Sequence, residues 1–186
     1  MMRAQDELPI TTYQSLLTIH LSLSISIMNE THIQHLRTAL TIAARAREKG
    51  NHPFGALLVD ENNNVLLEAE NTVNTERDCT GHAETNLMRK ASQRFDRATL
   101  AKCTLYTSTE PCAMCSGAIH WGGVGRVVFA LSEESLYALT NAGSHPDNET
   151  MRLPCRELFA RCARPVAVVG PLIEDEASVV HAGFWT

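Results

Sequence analysis

Residues 104–121, TLYTSTEPCAMCSGAIHW, are the stretch from which the fold is predicted. The first four residues form a β-branched and aromatic run that is typical of a buried strand. From Ala113 onward the composition favours a helix, and Pro111 suits a position at the first helical turn, where its missing N–H is not needed. The stretch therefore predicts a strand, a short loop and a helix, with Cys112 and Cys115 at the helix start.

The same apolar periodicities and turn residues predict the remaining elements. A first helix is expected to begin at a capping box formed by Thr31 and Gln34 and to end near Gly50, which can take a left-handed conformation. Together the expected strands are 54–59, 65–67, 104–107, 126–130 and 166–169, and the later helices are 82–95, 113–121, 133–140 and 154–162. This order predicts an α/β fold, a three-layer α/β/α sandwich with a mixed five-stranded sheet.

Composition limits the class of protein. The chain has 186 residues, 44% of them hydrophobic, which is enough for one well-buried core, and no Pro- or Ser-rich linker divides it. Its formal net charge is −5, and no run of Lys or Arg exceeds two residues. Because proteins that hold nucleic acid usually display a basic stripe, a nucleic-acid partner is not expected.

The N-terminal segment differs in character from the rest. Residues 15–28, SLLTIHLSLSISIM, are apolar, but Asp6 and Glu7 occupy the place of the positive region of a secretory signal, and the run is too short to span a bilayer. We therefore expect residues 1–28 to be an extension, either disordered or preceding a true start at Met28, and residues 29–186 to be the functional domain. A cytoplasmic protein with reduced cysteines and no membrane partner is expected.

Two short motifs predict a metal site. His82 offers an imidazole at one expected helix start, and Cys112 and Cys115 offer two sulfurs at another, where the helix N-terminus favours the thiolate form. Three protein ligands leave one position open, as in catalytic zinc sites. Zinc lowers the pKa of a bound water to about 7, so a nearby carboxylate could accept its proton. Glu84 lies two residues after His82, about 200° round the axis of a regular helix, although at a helix start both side chains can still face one cavity. The alternatives are a structural zinc site or a redox-active cysteine pair.

The motifs as they stand, H-A-E followed by P-C-A-M-C, resemble those of the cytidine deaminase superfamily. The resemblance extends over about residues 30–186 and includes the phrases PFGALLVD, LYTSTEPCAMCSGAIHW and RVVFA. The sequences of these segments are most similar to those of bacterial guanine deaminases, and tRNA adenosine deaminases share many of the same residues. The resemblance implies one Zn²⁺ per subunit, held by His82, Cys112 and Cys115, and a catalytic Glu84.

Five positions are expected to contact the substrate by the same resemblance. Phe54 would stack on the flat base, Asn71 would hydrogen-bond the base edge, and Ala83 would lie against the substrate beside the metal. Trp121 and Trp185 would line the pocket. A core Phe that opens a strand, a turn Asn, and a Trp that packs a helix end remain the alternatives.

Two further features follow from the resemblance. The loop 141–149 corresponds to the place where guanine deaminases carry a second acid, and of Asp147 and Glu149 we assign that role to Glu149, although solvated loop acids are the alternative. The aromatic C-terminus, residues 181–186, is expected to cover an active site, that of the partner subunit in a homodimer.

The resulting prediction is an enzyme that hydrolyses guanine to xanthine and ammonia. Its partner would be a small nucleobase. The alternatives are a tRNA adenosine deaminase, a cytosine or cytidine deaminase, an amino-s-triazine deaminase acting on ammeline, and a zinc-stabilised binding module without catalysis.

Overall fold

A computed structural model describes the backbone of residues 10–141 and 151–185, and the side chains of 29–140 and 151–185. The chain divides into two compact units, one ending at Gln34 and the other beginning at His35. The expected division into an extension, 1–28, and a domain, 29–186, stays a prediction. Among the helices that the structure describes, none is both long and apolar enough to cross a membrane.

The first helix is longer than expected. α1 covers Ile10–Glu48, so the prediction that a helix begins at Thr31 was wrong. The sequence between these bounds contains neither Gly nor Pro, so nothing in it interrupts a helical backbone. The end agrees with expectation, because Gly50 follows with a left-handed φ of 83°.

Five strands form one mixed sheet, as predicted. Their order across the sheet is β2-β1-β3-β4-β5; β1 pairs antiparallel with β2 and β3, whereas β3–β4 and β4–β5 are parallel. Their bounds are β1 Gly55–Val59, β2 Val65–Glu70, β3 Thr104–Thr109, β4 Arg126–Leu131 and β5 Ala167–Val169.

Four of the remaining helices lie where the sequence predicts them, and three short ones were not predicted. Those predicted are α3 Ala83–Arg94, α5 Ala113–Gly122, α6 Glu133–Asn141 and α7 Cys155–Ala160. Those not predicted are α2 Val73–Glu76, α4 Arg97–Leu100 and α8 Glu174–Val179. Of these, α2 and α4 have four residues each, which is too short to show a 3.6-residue apolar period.

Helices cover both faces of the sheet, which gives the three layers that the sequence predicts. Successive residues of β1 point to opposite faces. Leu58 packs with Ile119 of α5 in one apolar cluster, and Leu57 packs with Leu36 of α1 in the other. All four side chains are fully buried, and each contributes about 2 kcal/mol of hydrophobic stabilisation.

The functional motifs lie at one end of this sheet. Glu110 and Pro111 follow β3 directly, and Cys112 is the residue on which α5 begins. His82 holds the same position at the start of α3. Ligands of α/β proteins commonly bind beyond the carboxyl ends of parallel strands, and β3 and β4 are parallel neighbours here.

Candidate active site

Three ligand atoms converge at the starts of α3 and α5. His82 Nδ1 lies 3.7 Å from the Cys112 sulfur and 3.6 Å from the Cys115 sulfur, and all three atoms lie within 4.8 Å of one another. Tetrahedral zinc with Zn–S near 2.3 Å and Zn–N near 2.0 Å requires N···S separations of about 3.5 Å. The residues therefore fit a zinc ion.

The helix starts also prepare the sulfurs for a metal. Neither His82 nor Cys112 uses its side chain to cap its own helix, so both side chains remain available. A hydrogen bond from Cys115 lowers the pKa of Cys112 to about 4, and the hydrogen bond with Cys112 raises the pKa of His82. These contacts favour the thiolate form of Cys112 at the N-terminus of α5, where the helix dipole also favours negative charge.

Glu84 is fixed beside the three ligands. Its side chain is buried in the first turn of α3, where its Oε1 accepts a hydrogen bond of 2.8 Å from the Thr107 hydroxyl of β3. Its Oε2 lies 3.4 Å from the Cys115 sulfur. Burial, and then the charge of Cys112, raise the pKa of Glu84 above its usual range. A carboxyl group with a raised pKa beside a metal site is suited to proton transfer.

The loop that precedes His82 is held by one amide. Asn86 Nδ2 donates to the carbonyl oxygens of Glu70 and Gly81, at 3.0 and 3.2 Å, and to the Thr72 hydroxyl at 2.9 Å. The backbone N–H of Asn86 also donates to the His82 carbonyl at 2.8 Å. These bonds tie the His82 loop to the end of β2, so the imidazole is positioned by secondary structure.

Glu110 organises the opposite side of the site. One of its carboxylate oxygens accepts the backbone N–H of Glu133 at 3.1 Å, and the other accepts that of Cys155 at 2.9 Å. These N–H groups belong to the first turns of α6 and α7, which leave such donors unpaired. Glu110, which lies two residues before Cys112, therefore fixes the starts of α6 and α7.

A cavity of about 420 Å³ opens onto His82, Cys112 and Glu84. This volume is at the lower end of the range for small-molecule sites. The described residues of its wall include no Lys or Arg. Besides His82, Glu84 and Cys112, the wall consists of His52, Phe54, Val73, Cys79, Thr109, Glu110, Met114, Glu133, Leu136, Thr140, Met151 and Trp185.

Aromatic rings form one side of this cavity. The Phe54 and Trp185 ring centroids are 6.2 Å apart, and Trp185 lies 5.5 Å from the His52 ring. Trp185 Nε1 donates a 3.2 Å hydrogen bond to His181 Nδ1. Burial, and then the charge of Arg47, lower the pKa of His181 to about 4, so its imidazole is neutral and can accept that bond. The C-terminal aromatic is thus held in place by a specific contact.

Asn71 and Ala83 lie near the cavity but are not part of its wall. Asn71 is completely buried; its Oδ1 accepts the Val73 N–H at 3.1 Å, and its Nδ2 has no partner within the described part of the chain. The Asn71 N–H donates to the Phe54 carbonyl at 3.0 Å. Ala83 is buried at the start of α3. Their predicted contacts with substrate stay predictions.

Other expected site residues are not brought together with the cavity. Trp121 is 77% exposed, near the end of α5, and does not line the cavity. Asp147 and Glu149 lie outside the described residues, so the second acid stays a prediction. Trp185 lies at the cavity of its own chain; its expected position at a partner's active site stays a prediction, as does the homodimer.

Glu133 is a cavity residue that sequence reasoning missed. It is 6% exposed, and burial together with the nearby Cys112 charge raises its pKa to about 7. Its sequence position offered a signal, since it follows β4, the strand parallel to β3, just as Glu110 follows β3. Acidic residues after neighbouring parallel strands meet at the same edge of a sheet.

Comparison with known proteins assigns the family. Residues 29–131 match the family described as the cytidine and deoxycytidylate deaminase zinc-binding region. The chain belongs to this family of zinc-dependent deaminases, and His82, Cys112 and Cys115 form the group that can bind the metal. The resemblance inferred from the two motifs is confirmed.

Individual relatives differ in their substrates. The chain is 46% identical over 159 residues to a probable cytosine deaminase of Schizosaccharomyces pombe, covering 85% of this chain and 94% of that protein. It is 40% identical over 100 residues to guanine deaminase of Bacillus subtilis, covering 53% and 64%. Proteins described as tRNA-specific adenosine deaminases are also related.

A solved structure confirms the fold. Guanine deaminase from Nitrosomonas europaea superimposes with a TM-score of 0.65 at 24% identity, over 79% of this chain and 80% of that one. At this identity the likeness supports the cytidine deaminase-like fold and not the substrate.

Proposed function

We propose that the protein hydrolyses free guanine to xanthine and ammonia. The observation that supports this most strongly is the composition of the cavity wall, which combines the aromatic side chains Phe54 and Trp185 with His82, Cys112 and Glu84. A flat heterocycle can stack against Phe54 or Trp185 while its amine-bearing carbon approaches Glu84. The buried and unpaired Nδ2 of Asn71 is a donor of the kind that fixes a base edge.

The chain's own residues then carry the proton transfers. One zinc per subunit, held by His82, Cys112 and Cys115, would lower the pKa of a bound water. That water could then lose a proton and act as a nucleophile at neutral pH. Glu84 accepts the proton of the attacking water and delivers it to the ring nitrogen beside the amine-bearing carbon. The Thr107 hydroxyl holds Glu84 in one orientation throughout. Loss of ammonia needs a further proton, which Glu84, with help from Glu149 or Asp147, takes from the hydroxyl group added to the carbon and delivers to the leaving amine.

The wall of the cavity disfavours a nucleic-acid substrate. Its described residues include three carboxyl groups, those of Glu84, Glu110 and Glu133, and no cationic side chain apart from histidines. The chain as a whole carries a formal charge of −5. Because phosphate contacts supply most of the affinity for nucleic acids, an acidic cavity favours an uncharged base.

We also propose a homodimer in which the segment 181–186 stays beside an active site. Trp185 closes the cavity wall, and its hydrogen bond to His181 holds it there. An aromatic cover excludes water from the bound base and strengthens the electrostatic contacts within the cavity.

Cytosine is the second candidate. It is favoured by the 46% identity, over nearly the whole length of both chains, to the probable cytosine deaminase of S. pombe. Cytosine presents the same ring nitrogen beside an amine-bearing carbon, so the same residues would act on it. The two candidate substrates, guanine and cytosine, then differ mainly in the size of the base.

An ammonia-release assay separates these candidates. Zinc-replete protein is offered guanine, cytosine, adenine, cytidine, ammeline and tRNA in parallel, and kcat/KM is measured for each. We expect guanine to give the highest value. A higher value for cytosine would support the second candidate, and a higher value for tRNA would overturn the assignment to free bases.

A further inference from the structure

Among the described acids of the cavity wall, Glu133 is the one whose carboxyl group accepts no hydrogen bond from another described residue. Both oxygens of Glu110 accept backbone N–H groups, and Glu84 accepts the Thr107 hydroxyl. Glu133 is 6% exposed, and its carboxyl group makes no hydrogen bond to any residue that the structure describes. Because this carboxyl group lines the cavity and accepts no hydrogen bond within the described part of the chain, it is available to a ligand bound there.

The position of Glu133 is fixed by its neighbours. Its backbone N–H is held by Glu110, and the preceding Ser132 is held by two hydrogen bonds to Glu174 Oε1, from its N–H at 3.1 Å and from its hydroxyl at 2.7 Å. The Ser135 hydroxyl donates to the same oxygen at 2.8 Å. The start of α6 is thus anchored on both sides, and the Glu133 side chain is presented to the cavity at a defined place.

We propose that Glu133 selects free bases over their nucleosides by accepting the ring N–H to which a sugar would be attached. This inference rests on the proposed function, because it concerns how the same cavity holds its base. A free purine or pyrimidine carries an N–H donor at that ring nitrogen, and a carboxyl oxygen is the matching acceptor. In a nucleoside the ribose replaces this hydrogen.

The ribose would penalise binding twice. It removes the donor that would pair with Glu133, and it must occupy the space next to the Glu133 carboxyl group, whose backbone N–H is anchored by Glu110. A site built to pair a polar group of its substrate rejects an analogue that lacks the group, because the buried partner is then left unpaired. Glu133 would therefore be a specificity-determining residue.

Methylation of the base provides a direct test. Guanine and 9-methylguanine share the reacting carbon, the amine and the neighbouring ring nitrogens, but only guanine has the N–H at position 9. We expect the zinc-loaded wild-type protein to prefer guanine in kcat/KM by about 10- to 100-fold, the range of a hydrogen bond to a charged group. The Glu133→Ala variant should lose most of this preference, mainly through a higher KM for guanine.

Two further variants serve as controls. Glu133→Gln keeps an acceptor oxygen without charge and should retain part of the preference. Glu134→Gln changes the adjacent residue, whose side chain is 74% exposed and pairs with Arg152, and should leave the preference unchanged. Bound zinc and the midpoint of thermal unfolding show that each variant is folded.

The outcomes separate this inference from the proposed function. Guanine turnover with a preference that collapses in Glu133→Ala supports both. Two results would overturn the role of Glu133 and leave the proposed function intact. In one, the wild type turns over guanine and 9-methylguanine equally well; in the other, it prefers guanine and the Glu133→Ala variant keeps that preference. Absence of turnover of both guanine and cytosine overturns the proposed function, and the role of Glu133 with it.

Discussion

At the scale of single residues, the surroundings of a carboxyl group determine what it can do. Glu110 has both oxygens occupied by backbone donors and acts as a structural anchor. Glu84 differs because it is buried beside the Cys115 sulfur with a raised pKa, so a proton can move on and off it. The Glu133 carboxyl group accepts no hydrogen bond from the other described residues, so it is available to a ligand.

Replacement of Glu84 tests the separation of metal binding from proton transfer. The Glu84→Gln side chain keeps an oxygen that can accept the Thr107 hydrogen bond, but it cannot carry a proton. We expect zinc content within error of the wild type and a loss of kcat of at least about 100-fold, the lower range for removal of a general acid–base. Elemental analysis and ammonia release measure the two quantities. Activity within a few-fold of wild type would refute the proton-carrier role, and Glu134→Gln is the matched control.

At the scale of elements, helix starts and one chain end build the site. α3 and α5 supply the ligands from their first turns, and both starts were predictable because H-A-E and P-C-A-M-C follow recognisable breaks in periodicity. The start of α1 was not predictable in this way. The Thr31–Gln34 pattern resembles a capping box, yet the preceding run favours a helix equally well.

The C-terminal aromatic offers a test at this scale. Trp185→Ala removes the ring nearest to Phe54 and His52 on the cavity wall, so we expect KM for guanine to rise about 10-fold, the equivalent of 1.4 kcal/mol, with unchanged zinc content. Trp185→Phe retains an aromatic face and should retain most of the affinity. Steady-state kinetics of the two variants give the answer, and an unchanged KM in Trp185→Ala would show that the ring does not contact the base.

At the scale of the whole molecule, the fold could be predicted more completely than the site. The mixed five-stranded sheet and four of the later helices follow from local sequence pattern; a strand such as β1, which packs against helices on both faces, is apolar throughout. The exposed place of Trp121 and the burial of Glu133 could not be predicted. Both depend on contacts between elements that are distant in sequence.

Substrate choice also belongs to this scale. The metal ligands and Glu84 lie within motifs that define the family and therefore do not distinguish guanine, cytosine and adenosine. We propose that the distinction rests on cavity residues gathered from separate parts of the chain, among them Phe54, Glu133 and Trp185. The overall negative charge acts in the same direction, since it disfavours a polyanionic substrate.

The most direct test of a zinc-dependent guanine deaminase is the stoichiometry of its products with and without metal. Protein stripped by a chelator, and the same protein after zinc is restored, are incubated with guanine, and xanthine and ammonia are quantified together. We expect no product from the stripped protein, and one xanthine and one ammonia for each guanine consumed after zinc is restored. Zinc-loaded protein that binds one metal per chain and yet forms no xanthine would contradict the account.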